Sequence, residues 1–154
     1  MNATTIQTWY NFVLAQYTAE SYLNEFDSLT EQELNDILIA GANNPEFIKE
    51  ISEAELSATR MTDVMIADFS TTWTIIDHLP NTTSGFSATV LQNTHTGEFT
   101  LSFRSTESKP ATLGGDVERD SRSGANGEIA SEGFAYAQLL DMEEYFSSLK
   151  NGER

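Results

Sequence analysis

The sequence predicts an α/β protein with a helical first half, followed by a β-hairpin, a long loop and a final helix. Three observations predict this fold class. Apolar residues recur every three or four positions through residues 1–69, which is the period of a helix. Apolar and polar residues alternate on both sides of the Thr96-Gly97 turn, as they do in paired strands. The helical period then returns at Ser131.

The first two helices are predicted from an apolar stripe and from capping signatures. Ser28 and Thr30 are each followed three residues later by a glutamate, which is the pattern of a capping box at the start of a second helix. Gly41 is expected to end that helix. The stripe of the first helix consists of Ile6, Trp9, Tyr10, Val13 and Tyr17, and it continues into Tyr22, Leu23 and Phe26.

Two further helical segments are predicted before the sheet. Asn44 followed by Pro45 is a typical N-cap with proline at the first helical position, and it introduces a third segment. Ser52 with Glu55 is another capping signature. It predicts a fourth helix that runs through Met61, Met65 and Ile66.

The second half is predicted to contain strands, a loop and a helix. Trp73–Ile76 is rich in β-forming residues and is followed by a turn at Pro80-Asn81. A hairpin follows, because alternating apolar residues flank a second turn. Residues 105–130 hold four glycines and few large apolar residues, which predicts a long loop. The alternating residues are Phe86, Ala88 and Val90, then Phe99, Leu101 and Phe103, and the final stripe is Ala135, Leu139, Met142, Phe146 and Leu149.

Composition excludes several classes of protein and of chemistry. The chain of 154 residues has no cysteine, so disulfides and thiolate chemistry are excluded. Its 24 acidic and 8 basic residues give a net charge of −16, which repels nucleic acid. No apolar run approaches the roughly 20 residues of a membrane-spanning helix, so an integral membrane protein is not expected. The first residues do not resemble a secretory signal peptide. We expect either a cytoplasmic protein or one secreted through a C-terminal signal.

No complete catalytic or metal-binding motif is present in the sequence. The Gly-x-Ser-x-Gly elbow of serine hydrolases is absent. His78 lies near a strand end and His95 lies in the hairpin turn, and we interpret both as structural or solvated residues. Asp116, Glu118 and Asp120 alternate as in a calcium loop, but that loop's glycine and closing acid are missing. We expect Asp63 and Asp68 to form a solvated pair. No metal or other cofactor is predicted.

The strand that ends in Phe103-Arg104-Ser105-Thr106-Glu107 resembles the Phe-Arg-Gly-Thr or Phe-Arg-Gly-Ser stretch that opens the active site of class three lipases, the fungal-type lipases and their bacterial relatives. The resemblance implies the N-terminal portion of an α/β-hydrolase fold. It also implies that the backbone N–H of Thr106 is one donor of the oxyanion hole. Ser105 replaces the family's glycine. Glu132-Gly133-Phe134 resembles the family segment that enters the helix before the nucleophile strand, and Asp116 and Asp120 loosely match the acidic loop between them.

The resemblance further implies a carboxylic ester hydrolase with a serine nucleophile, acting on lipid or short-chain esters. In the family's order the nucleophile elbow would follow the last helix, so we expect residues 1–154 to be one incomplete domain, helical over 1–69 and mixed over 70–154, and inactive alone. We also expect self-association through exposed strand edges at Phe99–Phe103. The alternative interpretation is a non-catalytic acidic α+β module that binds a basic protein partner.

Overall fold

The computed structural model describes residues 3–21, 23, 26–41, 60–105, 119 and 121–153. Helices and a three-stranded antiparallel sheet make up this part of the chain, which confirms the mixed helix-and-sheet class. The strands lie in the order β1-β2-β3. The helices are α1 Ala3–Glu20, α2 Glu31–Ala40, α3 Asp63–Thr72, α4 Ala125–Glu132 and α5 Tyr136–Asn151, with a 3₁₀ turn at Phe26–Ser28, and the strands are β1 Trp73–Leu79, β2 Ala88–Asn93 and β3 Phe99–Phe103.

The chain divides into two compact units. The first unit comprises Met1–His78 and Ala88–Arg104, and it contains α1 to α3 with nearly all of the sheet. The second unit comprises Leu79–Ser87 and Ser105–Arg154, and it contains α4 and α5. The prediction of one incomplete domain over 1–154 is not tested by this division and stays a prediction.

The core of the first unit lies where α1, α2 and α3 meet the sheet. α1 packs against α3, β2 and β3, while α2 packs against α3. Burying these aliphatic and aromatic side chains removes apolar surface from water, which is the main stabilising term for the unit. The core consists of Leu14, Ala15, Leu38, Met61, Ile66, Phe69, Trp73 and Leu91.

The face that α1 buries differs in part from its predicted stripe. Tyr10 and Tyr17 pack against the core as the helical period indicates. Trp9, however, is 62% exposed. Ile6 and Val13 are exposed as well, and the buried residues of the helix are Leu14, Ala15, Thr18, Ala19 and Glu20. The buried face of α1 is therefore rotated away from its largest apolar residues.

The capping box of α2 is confirmed. Thr30 accepts a hydrogen bond from the Glu33 backbone N–H at 3.3 Å, and the Glu33 carboxylate accepts one from the Thr30 N–H at 2.9 Å. Ser28 belongs to the 3₁₀ turn instead of starting the helix. Gly41 ends α2 as predicted, because its N–H binds the Ile37 carbonyl at 2.8 Å and its φ is +64°.

The helix before the sheet starts later than predicted. α3 begins at Asp63, because the Thr62 hydroxyl caps its first turn through the Met65 N–H at 3.4 Å. Met61 precedes the helix and is buried in the core. A helix running through Met61 was therefore a wrong prediction. The segments predicted from Asn44-Pro45 and from Ser52 with Glu55 lie outside the described residues.

The β-hairpin is confirmed, but its strands do not alternate in burial as the pattern predicts. β2 pairs antiparallel with β3, and Val90 stands opposite Leu101. In β3, Phe99 is 64% exposed, whereas Ser102 is 7% exposed. Phe103 is also exposed. The face of β3 that contacts α1 is thus the polar one, because Gln16 of α1 binds Ser102 directly.

The second unit contains two helices where one was predicted. α4 occupies residues within the predicted loop, and Gly133 ends it in a left-handed conformation with φ +88°. α5 begins at Tyr136 and not at Ser131. Tyr145 is the buried residue of α5, and it contacts Phe86 edge to face at 6.4 Å between ring centroids. The predicted stripe of α5 is only partly protected from solvent, with Leu139 and Phe146 exposed and Ala135, Met142 and Leu149 half-buried.

Among the described helices, none combines the length and the apolar character that crossing a bilayer requires.

Candidate functional site

The candidate site lies at the end of β3, where the chain leaves the sheet. The β2–β3 ladder closes with Ala88 opposite Phe103. Arg104 and Ser105 follow, and they are the last residues described on this side of the loop. Arg104 and Ser105 therefore connect the end of the hairpin to Thr106, which itself lies outside the described residues.

Gln16 of α1 fixes the last two residues of β3. Its carboxamide oxygen accepts a hydrogen bond from the Ser102 hydroxyl at 2.8 Å, and its Nε2 donates to the Phe103 carbonyl at 2.9 Å. The same Nε2 donates to the Glu20 carboxylate at 2.6 Å. One amide side chain thus binds both a side chain and the backbone of the strand end. The strand end is therefore positioned by one residue that lies 86 positions from Ser102 and 87 from Phe103 in sequence.

Arg104 joins the strand exit to the end of α1. Its Nε donates to the Ala19 carbonyl at 3.3 Å, and its Nη2 donates to the Ser21 carbonyl. Carbonyls at a helix C-terminus lack partners within the helix and carry partial negative charge, so a guanidinium there is favourable. Ala19 and Ser21 are both buried, so these hydrogen bonds form largely away from water. Arg104, which lies two positions before Thr106, is consequently held by charge-assisted hydrogen bonds.

The two histidines lie in different environments. His78 is buried, and its Nδ1 lies 2.9 Å from the Thr89 hydroxyl on the neighbouring strand. His95 is exposed in the hairpin turn, where its Nδ1 lies 3.1 Å from the Thr94 hydroxyl. A buried cross-strand hydrogen bond and an exposed turn position agree with the structural and solvated interpretations of these residues.

A carboxylate–hydroxyl cluster in the second unit has no counterpart in the sequence prediction. Asp141 of α5 accepts hydrogen bonds from the hydroxyls of Thr82 and Ser84, each at 2.6 Å through Oδ2. Gln138 donates to the Ser84 carbonyl at 3.2 Å. The donors and acceptors are more than fifty positions apart, so no local spacing could indicate them. These hydrogen bonds connect the turn after β1 to α5. None of the four residues is a histidine.

Asp63 and Asp68 do not form the solvated pair that was predicted. Asp68 accepts a hydrogen bond from the Tyr10 hydroxyl at 2.8 Å, whereas Asp63 lies exposed in the first turn of α3. Burial raises the pKa of Tyr10, and the hydrogen bond to Asp68 and its negative charge raise it further. The Tyr10–Asp68 contact joins α1 to α3 and is structural in character.

Within the parts of the chain that the structure describes, no three His, Asp or Glu side chains come together as metal ligands could. The acidic residues Asp116, Glu118 and Asp120 lie outside these parts. Gly133 of the predicted Gly-Phe segment forms the break between α4 and α5, and Phe134 beside it is exposed. Comparison with protein-family models, with curated proteins and with solved structures gave no match.

Proposed function

We propose that this chain supplies the scaffold and one oxyanion-hole donor of a carboxylic ester hydrolase of the lipase or esterase type, with the α/β-hydrolase fold. The donor is the backbone N–H of Thr106. The observation that carries the proposal is the attachment of Arg104 to the end of α1, because it fixes the backbone two residues before that donor.

An oxyanion hole needs a donor whose position is set before the reaction begins. Negative charge develops on the carbonyl oxygen of the ester in the transition state. A donor that already points at that oxygen needs no reorganisation energy during the reaction. Removing one such donor typically costs about 3–4 kcal/mol of barrier. Gln16 binds the carbonyl of Phe103, the last residue of β3, and Arg104, the first residue after the strand, binds α1. These contacts are the support that a preorganised donor requires.

The proposal assigns no nucleophile to residues 1–154. They contain no Gly-x-Ser-x-Gly elbow, and the hydroxyls that contact the Nδ1 atoms of His78 and His95 belong to Thr89 and Thr94. The Ser84–Asp141 contact lacks a base that could take the serine proton. We therefore expect these 154 residues to show no ester hydrolysis alone, and we expect lipid or short-chain ester turnover only with a serine elbow supplied in addition.

The test distinguishes the backbone N–H of Thr106 from its side-chain hydroxyl as the hydrogen-bond donor. In the product of the complete open reading frame that encodes these residues, Thr106→Pro removes the N–H, whereas Thr106→Ala keeps it. We expect Thr106→Pro to lower kcat for a short-chain nitrophenyl ester by about 10²–10³-fold with little change in KM. Thr106→Ala is expected to remain near the parent activity.

Three results would count against the proposal. The first is esterase activity of residues 1–154 alone that a substitution within them abolishes. The second is equal activity of the proline and alanine variants, with both shown to be folded by circular dichroism. The third is a stop codon directly after Arg154, which would favour the second candidate function.

The second candidate is a non-catalytic acidic module that binds a basic protein. The net charge of −16 favours it, and among the five described helices Lys150 is the only basic residue. Such binding would weaken steeply as salt rises, because it depends on exposed charges. Co-purification of one basic protein at physiological salt, with the esterase test negative, would support this function over the first.

A further inference from the structure

A cleft of about 650 Å³ opens in the first unit beside the hairpin turn. Its walls come from three segments that are distant in sequence: α1, the start of β1 and the turn end of the hairpin. Its volume falls within the range of roughly 300–1,000 Å³ that is usual for small-ligand sites. The cleft is lined by Asn11, Phe12, Trp73, Asn93, Glu98 and Phe99, together with the three threonines Thr8, Thr96 and Thr100.

This cleft lies at the opposite end of β3 from the proposed oxyanion donor. Phe99 begins the strand and lines the cleft, whereas Phe103 ends the strand at the exit toward Thr106. Four residue steps at the rise of a strand separate the two ends by about 14 Å. The cleft is therefore a separate site, and ligand binding in it is independent of the proposed esterase function.

The lining combines aromatic rings with neutral hydrogen-bonding groups. Phe12 and Phe99 are exposed, and Trp73 forms part of the wall from the core side. The other described lining residues carry amide and hydroxyl groups, and Glu98 is the single charged residue among them. No lysine or arginine belongs to this described lining, so a phosphate or carboxylate ligand would meet no opposite charge there. A hydrocarbon chain would offer no acceptor to the Nδ2 donors of Asn93.

Hydrogen bonds hold the lining in place before any ligand arrives. The Asn93 carbonyl oxygen Oδ1 accepts from the backbone N–H groups of His95 and Thr96 at 2.9 and 3.0 Å. This fixes the amide and leaves its two Nδ2 hydrogens as donors. The Trp73 indole N–H donates to the Asn11 backbone carbonyl at 3.0 Å, which joins two walls of the cleft. Preorganised side chains lose less entropy when a ligand binds.

We propose that this cleft binds a neutral oligosaccharide. A sugar ring presents apolar C–H faces and a rim of hydroxyls that both donate and accept hydrogen bonds. The rings of Phe12 and Phe99 match the apolar faces, and the amide of Asn93 and the threonine hydroxyls match the rim. Glu98 accepts from sugar hydroxyls without requiring a charged partner.

The experiment titrates the 154-residue chain with three neutral probes: a β-1,4-glucose, an α-1,4-glucose and an N-acetylglucosamine tetrasaccharide. Binding is followed by tryptophan fluorescence, because the two tryptophans of the chain, Trp9 and Trp73, both lie in the first unit, and by calorimetry. We expect saturable binding of at least one probe in the micromolar to millimolar range. No saturable binding of any probe up to millimolar concentration overturns the proposal.

Matched variants locate the binding. Asn93→Asp keeps the Oδ1 acceptor of the turn but removes the Nδ2 donors, and Phe99→Ala removes an exposed ring. Each is expected to weaken binding by about tenfold or more, which corresponds to roughly 1.4 kcal/mol. Phe146→Ala removes a similarly exposed ring of the second unit and is expected to change nothing.

Two further outcomes contradict the proposal. One is saturable binding that Asn93→Asp and Phe99→Ala leave unchanged, because the sugar would then bind elsewhere. The other is saturable displacement of a bound probe by a fatty acid or by an unstructured peptide with higher affinity than any sugar. Thermal unfolding of each variant shows that the first unit is intact.

Discussion

The two ends of the β2–β3 hairpin are held by different kinds of interaction. At the turn end, Asn93 binds backbone N–H groups two and three residues ahead, and Gly97 adopts φ +74°. At the open end, Gln16 and Arg104 connect the strand to α1 across more than eighty residues. The turn end is therefore largely determined by local sequence, whereas the open end depends on the docking of α1.

The two proposed sites, the cleft at the turn end and the oxyanion donor beyond the open end, therefore suit different kinds of ligand interaction. The turn end presents side chains from a locally fixed turn, which suits recognition of a ligand's shape and hydroxyls. The open end leads to Thr106, and its tertiary contacts with α1 give the support that the proposed oxyanion donor needs. Substitutions at the two ends should consequently differ in the size and in the origin of their effects.

The largest effect is expected at the open end. Arg104→Met removes the hydrogen bonds to the Ala19 and Ser21 carbonyls, and the buried Ser21 carbonyl then keeps only the hydrogen bond from the Leu23 N–H. Hydrogen bonds to charged groups contribute about 1.5–3 kcal/mol each, so we expect the free energy of unfolding of the first unit to fall by about 3 kcal/mol. Urea unfolding followed by tryptophan fluorescence measures it. Arg104→Lys should restore part of the loss, and a loss below about 1 kcal/mol for Arg104→Met would contradict the assigned role.

A smaller effect is expected from the neutral partner at the same end. Gln16→Leu keeps the size of the side chain but removes the contacts with Ser102, the Phe103 carbonyl and the Glu20 carboxylate. Two neutral hydrogen bonds at about 1 kcal/mol each, and about 0.2–0.5 kcal/mol for the contact with Glu20 one helical turn away, give a loss of about 2 kcal/mol. Gln7→Leu, on the exposed side of the same helix, removes only a surface contact with Asn11 and should have little effect in the same urea experiment. Equal losses for both variants would show that the strand contacts are not important.

At the turn end, Gly97→Ala tests the local origin of the geometry. No atom lies within 4 Å of the position of an added Cβ, so the cost comes from the left-handed backbone conformation alone. We expect a loss of about 1 kcal/mol in the first unit. Gly152→Ala has a similar φ of +68° and equally open surroundings, but it lies in the second unit. It should shift the tryptophan-detected transition less than Gly97→Ala does, and a Gly97→Ala variant as stable as the parent would contradict the assignment of this strain to the turn.

The smallest effect is expected at α2, which belongs to neither end of the hairpin and provides a reference. Hydrogen bonds from the Thr30 hydroxyl and then from its backbone N–H lower the pKa of Glu33 below its usual value of 4.5. The carboxylate therefore stabilises the folded state above pH 4.5, and this contribution is lost as the pH falls through the lowered pKa. Glu33→Gln should be slightly less stable than the parent at neutral pH and equally stable at the acid end. A difference that grows on acidification would contradict this sign.

Prediction from the sequence succeeded where the signal is local. The capping box of Thr30 and Glu33, the helix end at Gly41 and the turn at Thr96-Gly97 each involve residues within a few positions of one another. It failed where a boundary depends on competing caps. Thr62 caps α3, so the helix begins after Met61, although the apolar period includes Met61. Gly133 ends α4 and divides the last helical segment, although the predicted helix runs through it.

The candidate sites show the same division. The strand before Thr106 was predictable from the hairpin pattern, but the attachment of Arg104 to α1 was not, because no spacing relates Arg104 to the carbonyls of Ala19 and Ser21. The oligosaccharide cleft was missed for the same reason. Its walls come from Phe12, Trp73 and Phe99, which neither periodicity nor any motif connects.

The sequence by itself determined the first two helices, the β2–β3 hairpin, the capping box of α2 and the acidic, cysteine-free composition. The tertiary structure decided which face of each element is buried. Ser102 lies inside while Phe99 and Phe103 lie outside, because Gln16 of α1 offers Ser102 a hydrogen-bonding partner and α1 covers that side of β3. Helix and strand formation depends on neighbours in the chain, whereas burial depends on surfaces that folding brings together from distant positions.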